Sequence, residues 1–242
     1  MKMDLSSRAK RSVRTLVRLF SPLRFGDLTR TEPVSSVFGL DRGTPIDRYY
    51  IDSYLNACSD AISGYALEVG EIKYLRTIGE HSARKSILAP SREVIKPGNG
   101  ADEIVIGDLT DCTSLPGGRF DCFVCTQTLN FIYDVKAAVR GAHHLLAPGG
   151  RFIGTVSGIS QISRYDMDRW GDYWRFTTLS LQRLLGESFG QNVVVESFGN
   201  ALAAQLSLQG VAVEDLPNHE LLERRDQDYQ IIIGFTASKA AS

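Results

Sequence analysis

The side chains best able to do chemistry in this 242-residue chain crowd into one stretch. Residues 158–176 hold Arg164, Tyr165, Asp166, Asp168, Arg169, Trp170, Asp172, Tyr173, Trp174 and Arg175, and so both tryptophans of the chain. A hydroxyl that attacks an electrophile benefits from a general base. Asp166, Asp168 and Asp172 are the candidate bases, and the sequence does not choose between them. Aromatic planes beside carboxylates suit a sugar, through its C–H faces and hydroxyls, while arginines suit a phosphate or carboxylate on the substrate. Arg164, Tyr165, Trp170, Trp174 and Arg175 are therefore candidate substrate contacts, the alternative being a salt-bridged, aromatic-packed lid. A second concentration, Asp41, Arg42, Asp47, Arg48, Tyr49 and Tyr50, surrounds Gly43 and Pro45. It reads as a second wall or as an ion-pair network that pins the amino-terminal helix.

Two tempting sites fail on spacing. Cys122 and Cys125 form C-x-x-C inside a strand pattern, where an odd offset sends them to opposite faces. A redox pair needs a helix start, and no second cysteine pair completes a zinc site. His143 and His144 are adjacent on a helix and diverge by about 100°, so they do not share a metal. No metal is expected.

The elements that must position these groups follow from apolar periodicity. Short apolar runs at 65–69, 86–89, 103–106, 120–125 and 151–156 alternate with helical stretches, the best of them 134–146. Apolar strands alternating with helices predict a mostly parallel sheet covered on both faces. A helix over 46–62 precedes them; a helix over 178–189, a strand over 192–198, helical material over 200–223 and a last strand over 229–237 follow. Such sheets bind ligands outside the carboxyl ends of their strands. The loops that matter follow residues 69, 89, 106, 125 and 156. After the first strand only Gly70 is present, so a G-x-G-x-x-G pyrophosphate fingerprint is absent, as is a Walker loop. A nucleoside without phosphates remains open.

Composition narrows the class. The chain is 43% hydrophobic and 23% charged with a net charge of −1. That supports one buried core, excludes disorder, and gives no bulk charge for nucleic-acid binding. No run of about 18 apolar residues predicts a membrane span, and four cysteines do not make a disulfide scaffold. The chain reads as soluble and cytoplasmic. Residues 1–30 differ: Lys2, Arg8, Lys10, Arg11, Arg14, Arg18, Arg24 and Arg30 face only Asp4 and Asp27. Val13, Leu16, Val17 and Phe20 fall on one helical face. This stretch reads as a frayed terminal helix, a targeting peptide, or a helix that makes peripheral contact with an anionic membrane or acidic partner.

The ordered set of strand-end motifs resembles the class I S-adenosylmethionine-dependent methyltransferases. Leu67-Glu68-Val69-Gly70 is similar to the family's first-strand motif, and Gly107-Asp108-Leu109 to the acidic motif that meets adenine. Residues 120–127 resemble the fourth strand and its following motif, and Leu145-Leu146-Ala147-Pro148-Gly149-Gly150-Arg151-Phe152 the turn into the fifth strand. The resemblance covers about residues 64–237. Residues 38–50 and 168–177 further resemble methyltransferase-like proteins of bacterial surface-glycan and glycosyltransferase gene clusters.

The resemblance implies a Rossmann-like seven-stranded sheet with an antiparallel last strand, preceded by a basic segment (1–30) and a lid or helix segment (31–63). It implies S-adenosylmethionine held by Glu68, Gly70, Asp108, Leu109, Thr126 and Gln127, with Phe131 or Leu109 against the purine. It implies methyl transfer to oxygen of a sugar or glycan precursor. The sequence departs from the pattern twice. Ile72 and Tyr74 stand where the family has its second and third glycines. Ala89-Pro90-Ser91, with Glu93 just beyond, stands where a carboxylate usually grips the ribose. Each departure removes contacts worth about 1–3 kcal/mol. A binding or scaffold module with this fold, acting with a glycan or a glycosyltransferase partner, is the second function left open.

Overall fold

A computed structural model of the chain describes residues 31–95, 98 and 100–241. The helix expected near residues 13–20 lies outside the described residues. The chain divides after Pro33, and the elements below belong to the compact unit that begins at Val34.

The elements run α1 (Ile46–Ala57), β1 (Gly64–Val69), α2 (Lys73–Thr77), β2 (Ser82–Ala89), β3 (Glu103–Ile106), β4 (Phe120–Thr126), α3 (Val135–Leu145), β5 (Leu146–Ser157), α4 (Arg164–Met167), α5 (Thr178–Phe189), β6 (Val193–Phe198), α6 (Ala201–Gln209) and β7 (Ile232–Ser238). The strands form one sheet in the order β3-β2-β1-β4-β5-β7-β6. The pairs from β3 through β5 are parallel, and β7 runs antiparallel to both β5 and β6. This is the Rossmann-like methyltransferase fold.

Strand periodicity sorts the core into two layers. Leu67, Phe123, Cys125 and Phe152 face α3 and α5. Ala66, Cys122, Val124 and Ile153 face α1, α2 and α6. Cys122 and Cys125 thus lie on opposite faces, both fully buried. Side-chain caps fix where the helices start. Asp134 accepts from the Ala137 N–H, Thr177 and Ser180 form a capping box, and Asn200 accepts from the Ala203 N–H. These bonds satisfy otherwise orphaned donors of the first turn.

Two elements differ from expectation. The helical material over 200–223 is one helix ending at Gln209, followed by single 3-10 turns at Val213–Asp215 and His219–Leu222. Gly210 adopts φ +67°, which closes the helix, and Pro217 prevents its resumption. The first helix stops at Ala57 and gives way to a 3-10 turn at Ser59–Ala61.

Candidate functional site

The carboxyl ends of β1 to β5 open into a cavity of 1530 Å³. A single small-ligand pocket holds roughly 300–1,000 Å³, so there is room for two ligands side by side. Three walls enclose it: the strand-end loops, a strap over residues 36–48, and the lid over residues 157–175.

At the end of β1, Gly70 lies at φ +76°, and a Cβ built on it would meet nothing within 4 Å. Its N–H donates to the Leu88 carbonyl, which ties the loop to β2. The backbone therefore faces open space. Neither replacement residue fills that space. Ile72 is buried in the core. Tyr74 is 4% exposed and turns against α1, where its hydroxyl donates to Asp52 at 3.0 Å.

Glu68 is buried and accepts from the N–H groups of Tyr74 (3.1 Å) and Leu75 (2.9 Å). Burial pushes its carboxyl up to about 7, against the pull of these two bonds. It thereby joins β1 to α2. Beside it the cavity wall carries Asp47, Arg48 and Lys73. Burial also raises the Asp47 carboxyl. Burial alone would lower the Arg48 guanidinium, but Asp47 and Tyr74 more than offset it and leave it raised.

At the end of β3, Asp108 Oδ1 accepts from the Thr110 N–H (2.8 Å) and hydroxyl (2.9 Å). Oδ2 keeps its lone pairs among the described residues. Leu109 is 5% exposed, lines the cavity and also belongs to the core. At the end of β4, Thr126 lines the cavity. Gln127 takes φ +49°, sparsely populated for a non-glycine residue. Its Nε2 donates to Thr155 Oγ1 (3.2 Å), and its Oε1 accepts from the Ser157 hydroxyl (2.5 Å). Its amide is thus bound to β5 at both ends. No carboxylate stands at the end of β2: Ala89 and Pro90 line the wall there, and Glu93 does not reach it.

The lid is fastened by a residue the sequence reading passed over. Asn130, 1% exposed, donates from Nδ2 to the Trp174 carbonyl (2.8 Å) and accepts the Ser157 N–H at Oδ1 (3.3 Å). Its own carbonyl accepts the Tyr173 and Trp174 N–H groups (3.0 and 3.2 Å). These partners lie 27 to 44 residues away, so no local spacing announces them. Trp174 in turn donates from its indole to the Ile132 and Tyr133 carbonyls.

The expected lid residues then divide. Asp172 bonds Arg175 at 2.5 and 2.9 Å and accepts the Ser163 N–H. Burial alone would raise its carboxyl; the Arg175 and Ser163 bonds outweigh this and hold it below its ordinary range. Arg175 also donates to the carbonyls of Ser160, Gln161 and Trp174. Both residues line the cavity, yet their polar groups hold the lid's shape. Asp168 and Trp174 lie outside the cavity wall. Arg164, Tyr165, Asp166 and Trp170 line it. Asp166 Oδ2 accepts the Ser163 hydroxyl (2.6 Å), while Oδ1 has no protein partner among the described residues. Arg164 likewise has none. Arg169 stacks over Tyr165 at 3.6 Å.

The strap is pinned from outside. Arg42 bonds Asp215 through two contacts of 2.8 Å, and Thr44 bonds Glu214 through its N–H and its hydroxyl, both 2.7 Å. Phe38, at φ +63°, lines the cavity, with Ser35 Oγ accepting the Gly39 N–H beside it. Among the described residues no group of three or more His, Cys, Asp or Glu side chains could hold a metal ion.

Residues 72–154 match a family described as a methyltransferase domain. The match begins at Ile72, beyond Glu68 and Gly70. A search of curated protein sequences finds no match. Among solved structures, an S-adenosylmethionine-dependent methyltransferase from Mesorhizobium loti is similar at 20% identity and TM-score 0.55, over 83% of this chain and 100% of that one. An S-adenosylmethionine-dependent methyltransferase from Archaeoglobus fulgidus is similar at 14% identity and TM-score 0.50, over 79% and 90%. At these identities the likeness shows the fold. The domain match spans 83 of the 242 residues and lies within a chain whose fold is similar to that of these structures.

Proposed function

We propose that this chain catalyses S-adenosylmethionine-dependent methyl transfer to an oxygen of a sugar or glycan precursor. The observation that carries the reading is the cavity at the strand ends. It is open over the Gly70 backbone, carries an uncommitted Asp108 oxygen, and has room for an acceptor beside the cofactor.

The residues present fit that cofactor. Asp108 Oδ2 would accept from the adenine amino group, with Phe131 and Leu109 as apolar neighbours. Gly70 lets backbone approach closely. Asp47 suits the ammonium of an amino-acid end, and Arg48 and Lys73 suit its carboxylate. The cofactor supplies a methyl group activated by a sulfonium. The chain's task is then to align the acceptor, exclude water and take a proton. Arg164, Tyr165 and Trp170 contact the acceptor. Asp166 takes the hydroxyl proton at Oδ1, oriented by the Ser163 hydroxyl on Oδ2. Asp172, Trp174 and Arg175 shape the lid that holds them.

Calorimetric titration with S-adenosylmethionine and S-adenosylhomocysteine tests this reading. Micromolar binding is expected, weakened about tenfold to a hundredfold by Asp108→Ala. With a sugar acceptor in hand, Asp166→Asn should lower kcat about 10²–10⁴-fold and leave S-adenosylhomocysteine affinity unchanged. A folded protein with no binding at millimolar ligand overturns the proposal. One observation favours the second reading, a non-catalytic module that binds a glycan or a glycosyltransferase: both Glu68 oxygens are engaged by backbone, and β2 ends without a carboxylate. The same titration decides between the two.

A further inference from the structure

The cavity mouth carries several large apolar and aromatic side chains that face solvent. Val37, Leu40, Tyr133, Tyr165, Trp170 and Tyr173 all line the cavity and are all exposed, Leu40, Tyr165 and Tyr133 to 65%, 66% and 72%. They come from three separate segments, the strap, the turn after β4 and the lid, and converge on one rim. Side chains two-thirds exposed keep most of their surface outside the cavity while one edge still lines it. Tyr and Trp combine an apolar body with a polar edge, a pairing suited to the headgroup zone of a bilayer. Contiguous exposed apolar patches on a single chain mark interaction sites.

Charge says which partner fits. Residues 1–30 carry eight Lys or Arg against two acids, a net +6, whereas the rest of the chain carries −7. The same thirty residues place Val13, Leu16, Val17 and Phe20 at helical spacing among their arginines. A basic amphipathic stretch suits an anionic lipid surface, and its chain runs from Arg30 into the strap, at Ser36, within six residues. On the rim itself, Arg164 has no protein partner among the described residues. Among the described residues no helix is long and apolar enough to cross a membrane, so the contact would be peripheral.

We propose that the cavity mouth docks on an anionic lipid surface. The Val37–Leu40, Tyr133 and Tyr165–Tyr173 rim enters the headgroup region, and the basic residues of 1–30 provide the attraction. This inference does not depend on methyl transfer.

The two tryptophans of the chain, Trp170 and Trp174, both lie on the lid, so intrinsic fluorescence reports on the rim directly. Full-length protein is mixed with phosphatidylcholine vesicles with and without phosphatidylglycerol, some carrying brominated acyl chains. The expected result is sedimentation with phosphatidylglycerol vesicles only, reversed by salt, together with quenching by the brominated lipid. Trp170→Phe should remove most of that quenching, because the Trp174 indole is held by the Ile132 and Tyr133 carbonyls. Replacing Arg8, Lys10, Arg11 and Arg14 with Gln should cut vesicle affinity at least tenfold and leave S-adenosylhomocysteine affinity unchanged. Sedimentation without quenching overturns the docking of the rim. So does equal binding to phosphatidylcholine, or no binding. Self-association of lipid-free protein that Tyr165→Ser abolishes would identify a second copy as the occupant instead.

Discussion

The carboxylate of Glu68 sits between opposing forces, and Glu68→Gln measures which one wins. Burial at 3% exposure disfavours the charged form, while the N–H groups of Tyr74 and Leu75 favour it. The balance lies with burial, and the carboxyl stands at about 7 rather than 4.5. A folded-state value above the unfolded one means that the native protein binds more protons between those limits. The contribution of Glu68 to stability is therefore complete below pH about 4.5 and is lost as pH rises through about 7. At about 1.4 kcal/mol per unit the loss is about 3 kcal/mol. Urea unfolding of wild type and Glu68→Gln from pH 4 to pH 8 isolates it, because every other titrating group cancels in the difference. The stability of wild type relative to the variant should fall by about 3 kcal/mol across that range. A flat difference, or one that grows with pH, would show that the two backbone bonds dominate and would refute the reasoning.

Three further outcomes are expected. Asn130→Ala should destabilise the fold by about 1–3 kcal/mol by removing two bonds at a buried position. It should also speed tryptic cleavage at Arg164 and Arg169; an unchanged cleavage rate would show that the lid is fastened elsewhere. Burial pushes the Cys122 and Cys125 thiols up to about 12 and also raises the half-buried Cys58 thiol, so Cys112 should react first with a thiol reagent in the native state near neutral pH, Cys58 more slowly, Cys122 and Cys125 not at all, and all four in denaturant. Gly70→Ala should cost about 1–2 kcal/mol of stability from the positive φ alone, since the added methyl meets nothing. Its effect on S-adenosylhomocysteine affinity, read by calorimetry, then reports backbone approach to the ligand.

The sheet was legible because its signals are local. Apolar runs bounded by turn residues mark β1 to β5, and Thr177, Ser180 and Gly190 bracket α5 at the residues where it begins and ends. The odd spacing of Cys122 and Cys125 sufficed to place them on opposite faces. The fastenings of the cavity were not legible in the same way. Arg42 with Asp215, Thr44 with Glu214, and Asn130 with Trp174 pair across 173, 170 and 44 residues, and only the completed fold brings them together.

The same distinction governs the departures in the first strand-end loop. Sequence alone gives the type of residue at positions 72 and 74, and from type alone two bulky side chains in a glycine loop imply obstruction. Direction is a tertiary matter. Tyr74 lies along the cavity wall rather than across the ligand space because α1 packs there and offers Asp52 as a hydrogen-bond partner. Ile72 turns inward because α1 and the sheet form an apolar layer that it completes. Both residues thus serve the packing of a helix that precedes the sheet, and α2 is short, five residues, where Glu68 anchors its first turn. The loop has exchanged glycine's freedom for a fixed shape, and the space over Gly70 stays open because of that exchange. If so, Asp52→Ala should release the Tyr74 ring from its partner on α1. It should weaken S-adenosylhomocysteine binding although Asp52 does not line the cavity, and Tyr74→Phe, which lacks the hydroxyl but keeps the packing, should behave as Asp52→Ala does only if the hydrogen bond rather than the apolar contact sets the ring's direction.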